Sequence, residues 1–191
     1  MQSQLLYEFL LSNGWDVFLT REPGSTPVGE RIRDILLRVD EDMCKYTELF
    51  LYLADRAENL VKVVFPNLNA GKIVISDRHF DSTIAYQMAG RGIKEEEMMR
   101  VKGMELFSRR EPDVTFLLDV DPEIVKDRIE DPDRIEKEDI TFHRKVRQSY
   151  LDLAKNNPGR IILIDSKGTI EEISKMIKKE ILSILEEDSD E

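Results

Sequence analysis

The chain has 191 residues, one domain's worth at ~150 residues per domain, and its 41% apolar content with nine Gly and seven Pro excludes a disordered or fibrous protein. The net charge is −11, and still −6 without the last six residues, five of which are acidic; such a chain is unsuited to wrapping nucleic acid, which needs Lys and Arg to displace counterions. A single cysteine, Cys44, excludes an intramolecular disulfide and points to reducing cytoplasm, while apolar runs far short of ~18 residues and an N-terminus without a basic start and apolar stretch predict neither a membrane span nor an export signal.

Leu5, Leu6, Phe9 and Leu10 predict a helix over 2–12, stopped by Asn13-Gly14. Residues 15–20 read as a short strand, followed by the loop Arg21-Glu22-Pro23-Gly24-Ser25. Thr26-Pro27 reads as an N-cap with Pro in the first turn, opening a helix to about Leu37 whose apolar face is Val28, Ile32, Ile35 and Leu36. A long helix over 46–65 is expected to stop at Pro66, and Ile73-Val74-Ile75-Ser76 has the unbroken apolar character of a strand covered on both faces. Helices follow over about 82–88 and 95–107, then a strand over 114–120 and a short helix after Pro122. A charged segment over 127–138, a helix over 139–155, a strand over 160–165 and a last helix with a stripe of Ile170, Ile173, Ile177, Ile181 and Ile184 complete the chain. Strands alternating with helices predict one α/β domain, a doubly wound parallel sheet with helices on both faces.

In such sheets ligands bind beyond the carboxyl ends of the strands. These ends read Arg21-Glu22-Pro23-Gly24, Asp77-Arg78-His79, Asp119 and Asp165. Two arginines at neighbouring strand ends suit a bidentate clamp on a phosphate, and Asp77 could hold a hydrated Mg2+; equally, Arg21 and Asp77 could simply pair at the sheet edge. Tyr52 and Arg56 lie at i and i+4 on one helix face, where a base could stack on the ring and hydrogen-bond the guanidinium. An aromatic beside an arginine also packs without any ligand, so spacing leaves both readings open. His79 and His143 read as ordinary polar residues, and no pattern has paired metal-ligand spacing.

Four blocks in order lift these readings: Thr20-Arg21-Glu22-Pro23-Gly24-Ser25-Thr26, Glu48 to Arg56, Asp77-Arg78-His79-Phe80-Asp81-Ser82-Thr83-Ile84-Ala85-Tyr86-Gln87, and Asp133-Arg134-Ile135-Glu136. With them the chain resembles bacterial thymidylate kinases along essentially its whole length. The resemblance implies transfer of the γ-phosphoryl of ATP to thymidine monophosphate (dTMP), giving dTDP in pyrimidine deoxynucleotide synthesis, by a cytoplasmic homodimer using Mg2+. It implies that Arg21 and Arg78 hold the dTMP phosphate, that Arg56 hydrogen-bonds thymine, and that Tyr52, usually Phe in the family, stacks on it. Thr83 and Gln87 would lie near the base, and Tyr86 beneath the deoxyribose, crowding a 2′-hydroxyl. Arg78 and Asp77 would serve catalysis, Asp77 also holding Mg2+ through water, and Arg128 and Arg134 would fall in the lid segment over ATP.

The chain departs from the family at its start. It contains no G-x-x-x-x-G-K-[ST] loop and no strand before it, so the backbone amides and Lys that cradle ATP phosphates are absent from the sequence. Two expectations follow: an enzyme whose true start lies upstream, or a non-catalytic nucleotide-monophosphate-binding module. In the family's strand order the missing strand is central. The sheet is therefore expected as two separate pairs, 15–20 with 73–77 and 114–120 with 160–164.

Overall fold

The computed structural model describes residues 1–38, 42–126 and 131–187, in which strands and helices alternate. Helix α1 (Gln2–Ser12) ends at Asn13, and Gly14, at φ 87°, turns the chain into β1 (Val17–Arg21). Thr26 caps α2 (Pro27–Leu37) as expected, its hydroxyl accepting from the Gly29 amide at 2.9 Å. The buried face of α2 is not the expected one. Gly29 and Leu36 are buried, whereas Val28 and Ile35 are 49% and 45% exposed. The helix lies on its Gly29 side so closely that a Cβ there would fall 2.4 Å from Asp55 Oδ1, and this contact rotates Val28 and Ile35 outward.

Pro66 does not stop the third helix. α3 (Lys45–Asn59) widens into a π-helical turn over Leu60–Val64 and continues as α4 (Phe65–Asn69), where Pro66 occupies the first turn. There its missing N–H costs no hydrogen bond, and the Asn67 side chain donates to the Val63 carbonyl at 2.8 Å. A second π-helical stretch, Ile84–Gly90, extends α5 (Phe80–Thr83), so this helix begins earlier and ends later than expected. The helix expected over 95–107 breaks at Gly103 into α6 (Glu95–Lys102) and α7 (Glu105–Ser108). The short α8 (Pro122–Lys126) and the long α9 (Ile140–Asn156) lie between the last two strands, and α10 (Ile170–Glu187) follows them. In α10, Ile173, Ile177 and Ile181 are buried, but Ile170, at the exposed first turn, is not.

β2 (Ile73–Asp77) pairs in parallel with β1, from Val17↔Ile73 to Arg21↔Asp77, and β3 (Thr115–Asp119) with β4 (Ile161–Asp165), from Thr115↔Ile161 to Asp119↔Asp165. Among the described residues β2 and β3 are not hydrogen-bonded to each other, which is the expected division into two pairs. One apolar cluster spans both pairs, joining Leu6, Leu10, Val17, Ile164, Ile173, Ile177 and Ile181. A second, around Leu49, Leu53, Leu60, Phe80, Ile84 and Met98, seats α3 against α5 and its π-helical extension. No helix among the described residues is long and apolar enough to cross a membrane.

Candidate active site

The parallel register brings the carboxyl ends of β1 and β2 side by side, so Arg21 and Asp77 are direct neighbours. No ion pair joins them among the described residues. Arg21 Nε donates to the Gly24 carbonyl at 3.2 Å, and both residues, with Ser3, Gln4, Thr20, Gly24 and Ser25, line a cleft of about 360 Å3 at the start of α1. Arg78 follows at φ 76°, a left-handed conformation that a residue with a side chain rarely adopts and that recurs at functional sites. Its guanidinium lies 5.0 Å from the centre of the Tyr86 ring. Tyr86 in turn packs against Phe142 and Tyr150, with ring centres 6.2 Å away in both cases.

The loop after β1 is held from α3. Arg56, only 2% exposed, donates through Nε to Glu22 Oε2 at 2.6 Å and through Nη1 to Thr83 Oγ1 at 2.5 Å. Asn59 donates to Glu22 Oε1 at 2.9 Å and accepts from the Thr20 and Ser25 hydroxyls at 2.8 and 2.7 Å. The Gly24 amide donates to Asp55 Oδ1 at 2.9 Å. Burial pushes the Asp55 carboxyl up to about 6 despite that bond.

Two turns before Arg56, Glu48 forms a second buried centre. It accepts from Gln87 Nε2 at 3.0 Å and pairs with Arg91 at 3.0 Å and Arg134 at 2.8 Å. Burial alone would raise this carboxyl, but the hydrogen bonds from Arg91 and Gln87 outweigh it and hold the group below the usual carboxylate range. α3 and the helix after β2 are thus joined by two polar links, Arg56 to Thr83 and Glu48 to Gln87, with Tyr52 midway between them on α3. Burial pushes the Tyr52 phenol up to about 12, so the ring stays neutral.

The structure therefore gathers Tyr52, Arg56, Thr83 and Gln87 between two helices and places Arg21 and Asp77 together at the sheet edge, with Arg78 beside Tyr86. Arg134 is engaged elsewhere: besides Glu48, it donates through Nε to the Leu36 carbonyl at 2.7 Å. Arg128 lies outside the described residues, as do 127–130 of the lid segment. Sequence reasoning missed Glu22, Glu48, Asp55 and Asn59 as members of the site. The available signal was three of them, Glu48, Asp55 and Asn59, at helical spacing inside an otherwise apolar helix; Glu22, in the loop after β1, had none.

Residues 1–177 match the thymidylate kinase family. The thymidylate kinase of Sulfurihydrogenibium sp. (strain YO3AOP1) is 45% identical over 178 residues, covering 92% of this chain and 87% of that protein. That of Halothermothrix orenii is 40% identical over 190 residues, covering 96% and 90%. A solved structure, thymidylate kinase from Ehrlichia chaffeensis, superimposes with a TM-score of 0.76 at 34% identity, covering 97% of this chain and 90% of that one. Fold, site and relatives define a nucleoside-monophosphate phosphotransferase, a parallel α/β protein with helices on both faces. The chain belongs to the thymidylate kinase family, whose reaction moves the γ-phosphoryl of ATP onto dTMP. The kinase reading prevails over a non-catalytic binding module.

Proposed function

We propose that Arg21 and Arg78 clamp the dTMP phosphate at the ends of β1 and β2, while thymine lies on Tyr52 between the Arg56–Thr83 and Glu48–Gln87 links. The observation that carries this reading is that Arg21 and Asp77, register partners, do not pair with each other but line one cleft, leaving a cation and an anion available to ligands. Arg56 is already oriented by Glu22, so little side-chain entropy remains to be lost when it meets a base carbonyl. Tyr86 underlies the sugar, and its contact with the Arg78 guanidinium ties the deoxyribose end of the site to the phosphate end.

The acceptor phosphate has a second pKa near ~6 and is mostly ionised at neutral pH, so no strong base is required of the protein. Its residues position the acceptor and neutralise charge. Asp77 fits a hydrated Mg2+ held mainly by nucleotide phosphates: its carboxylate is exposed at the cleft, and no cluster of three or more ligating side chains exists among the described residues to hold a dedicated ion. When bound, Mg2+ supplies charge neutralisation between donor and acceptor phosphates. Arg128 and Arg134 are assigned to the lid side, Arg134 anchoring the end of that segment to Glu48. The exposed Phe50 and Val61, on one face of the long helix, support a homodimer, and the free, exposed Cys44 suits the cytoplasm.

Calorimetric titration with dTMP, thymidine and deoxycytidine monophosphate tests the base assignment. Tyr52→Ala is expected to weaken dTMP and thymidine alike by roughly 1–3 kcal/mol, the scale of one base–aromatic stack. Unchanged affinity for both removes Tyr52 from the base site. Sedimentation analysis of wild type and Phe50→Glu tests the dimer.

A further inference from the structure

Asp55 is almost fully buried, at 1% exposure, on the side of α3 that faces the loop after β1. One carboxylate oxygen, Oδ1, accepts the Gly24 amide at 2.9 Å; the other, Oδ2, is buried with no hydrogen-bond partner. A buried carboxylate with an unpaired oxygen is costly to a fold, so a purely structural reading leaves its presence unexplained. What it holds is a glycine at φ 105° packed against Arg33, whose Cδ would lie 2.9 Å from a Cβ at this position. The same glycine presents its carbonyl to Arg21 Nε at 3.2 Å. The chain of contacts therefore runs from the core carboxylate through one residue of backbone to the guanidinium of Arg21, at the cleft.

We propose that Asp55 is a positioning residue for the acceptor phosphate: by fixing Gly24 it holds the Arg21 guanidinium in the orientation that receives the phosphate. This rests on the assignment of Arg21 to the phosphate clamp. The neighbouring ties from Arg56 and Asn59 hold Thr20, Glu22 and Ser25, and Arg33 donates to the Pro23 carbonyl at 3.0 Å, so they fix the backbone around Arg21; among the described residues the Asp55 contact is the side-chain tie to Gly24, whose carbonyl receives the Arg21 guanidinium. Position 55 needs an acceptor of this reach on α3. Asn supplies it and Leu does not.

The test compares dTMP with thymidine, which differ only in the phosphate, by calorimetry on wild type, Asp55→Leu, Asp55→Asn and Arg21→Ala. Asp55→Leu fills the same space without an acceptor, and Asp55→Ala replaces it if Leu gives no cooperative thermal transition. Loss of the acceptor is expected to lower dTMP affinity roughly tenfold while thymidine affinity changes by less than about threefold, as for Arg21→Ala. The double variant Asp55→Leu/Arg21→Ala is expected to be little worse than either single one, because both act through one contact. Asp55→Asn is expected to retain most of the dTMP preference. Equal losses for dTMP and thymidine in Asp55→Leu, or no loss in either, overturn the proposal while leaving the clamp intact. An unchanged dTMP-to-thymidine ratio in Arg21→Ala instead overturns the clamp assignment, and the role of Asp55 with it.

Discussion

Arg78 combines a left-handed backbone with a guanidinium held over an aromatic face, an arrangement whose strain must be offset by the surrounding structure. Arg78→Ala is expected to weaken dTMP binding by ~1.5–3 kcal/mol, the worth of a charge-assisted hydrogen bond, with thymidine little affected in the same calorimeter. Tyr86→Ala is expected to narrow the preference for dTMP over ribothymidine monophosphate more than it weakens dTMP, because in the proposed site the ring takes the space a 2′-hydroxyl would need; an unchanged ratio refutes that steric role. Asp55 sets a pH dependence of its own. Its carboxyl rises from 3.8 to about 6 on folding, so between those values the native state keeps a proton the unfolded chain has lost, and stability falls as pH rises, by up to roughly 3 kcal/mol. Glu48, held below its ordinary range, acts oppositely, contributing stability that is lost as pH falls. Urea titrations at about pH 4.5 and 7 should show the first effect flattened in Asp55→Asn. The strand-end residues were legible because chain order and apolar runs locate strand ends. Glu22, Glu48 and Asn59 were not, since a polar residue on an amphipathic helix or in a loop looks the same in sequence whether it meets water or a buried partner.

The helices show where periodic patterns lose information. A 3.6-residue repeat located α3, but nothing in it marks the π-helical turn over Leu60–Val64 that lets Pro66 sit at a new first turn instead of ending the helix. The second π-helical stretch, Ile84–Gly90, carries Tyr86 and Gln87, two candidate ligand contacts, and ends at a glycine pressed against α9. A Cβ on Gly90 would lie 2.6 Å from Phe142 Cε2. Phe142 also packs on Tyr86 and under the Arg91 guanidinium, 4.7 Å from its ring centre, so the ring cannot yield without disturbing both. Gly90→Ala is therefore expected to destabilise by ~1–3 kcal/mol through overpacking, lowering Tm by roughly 2–4 °C per kcal/mol for a chain of this size. A thermal melt with undiminished Tm would mean that α9 shifts freely against this segment. The α2 face was misread for a related reason. The apolar residues Val28 and Ile35 compete with Gly29 and Leu36 for the interior, and close backbone approach at Gly29, invisible in a hydropathy pattern, decides between them.

Across the molecule, the strand pairs β1–β2 and β3–β4 share no ladder hydrogen bonds among the described residues, so their mutual placement depends on side chains. The apolar cluster of α1, β1, β4 and α10 supplies non-directional cohesion. Direction comes from Arg160, just before β4, which grips Asp81, just after β2, through two hydrogen bonds of 2.8 Å and also donates to Thr115 Oγ1 at the start of β3, at 3.1 Å. The strand order was legible from the family resemblance and the apolar runs, but this bridge was not, because Asp81 and Arg160 are 79 residues apart and Arg160 lies outside the four blocks, so nothing in the sequence pairs the two. With its side chains 16% and 11% exposed, the pair is mostly shielded from solvent, and removing one member leaves the other charge buried without its partner. Arg160→Met keeps much of the aliphatic stem while deleting the fork, and is expected to cost on the order of 3 kcal/mol. The paired change Arg160→Met/Asp81→Leu should recover part of that loss, since two apolar groups leave no uncompensated charge. Chemical denaturation of the single and double variants measures both. If the double variant is no more stable than Arg160→Met, the loss comes from packing around the stem, and the bridge does not align the two halves of the sheet.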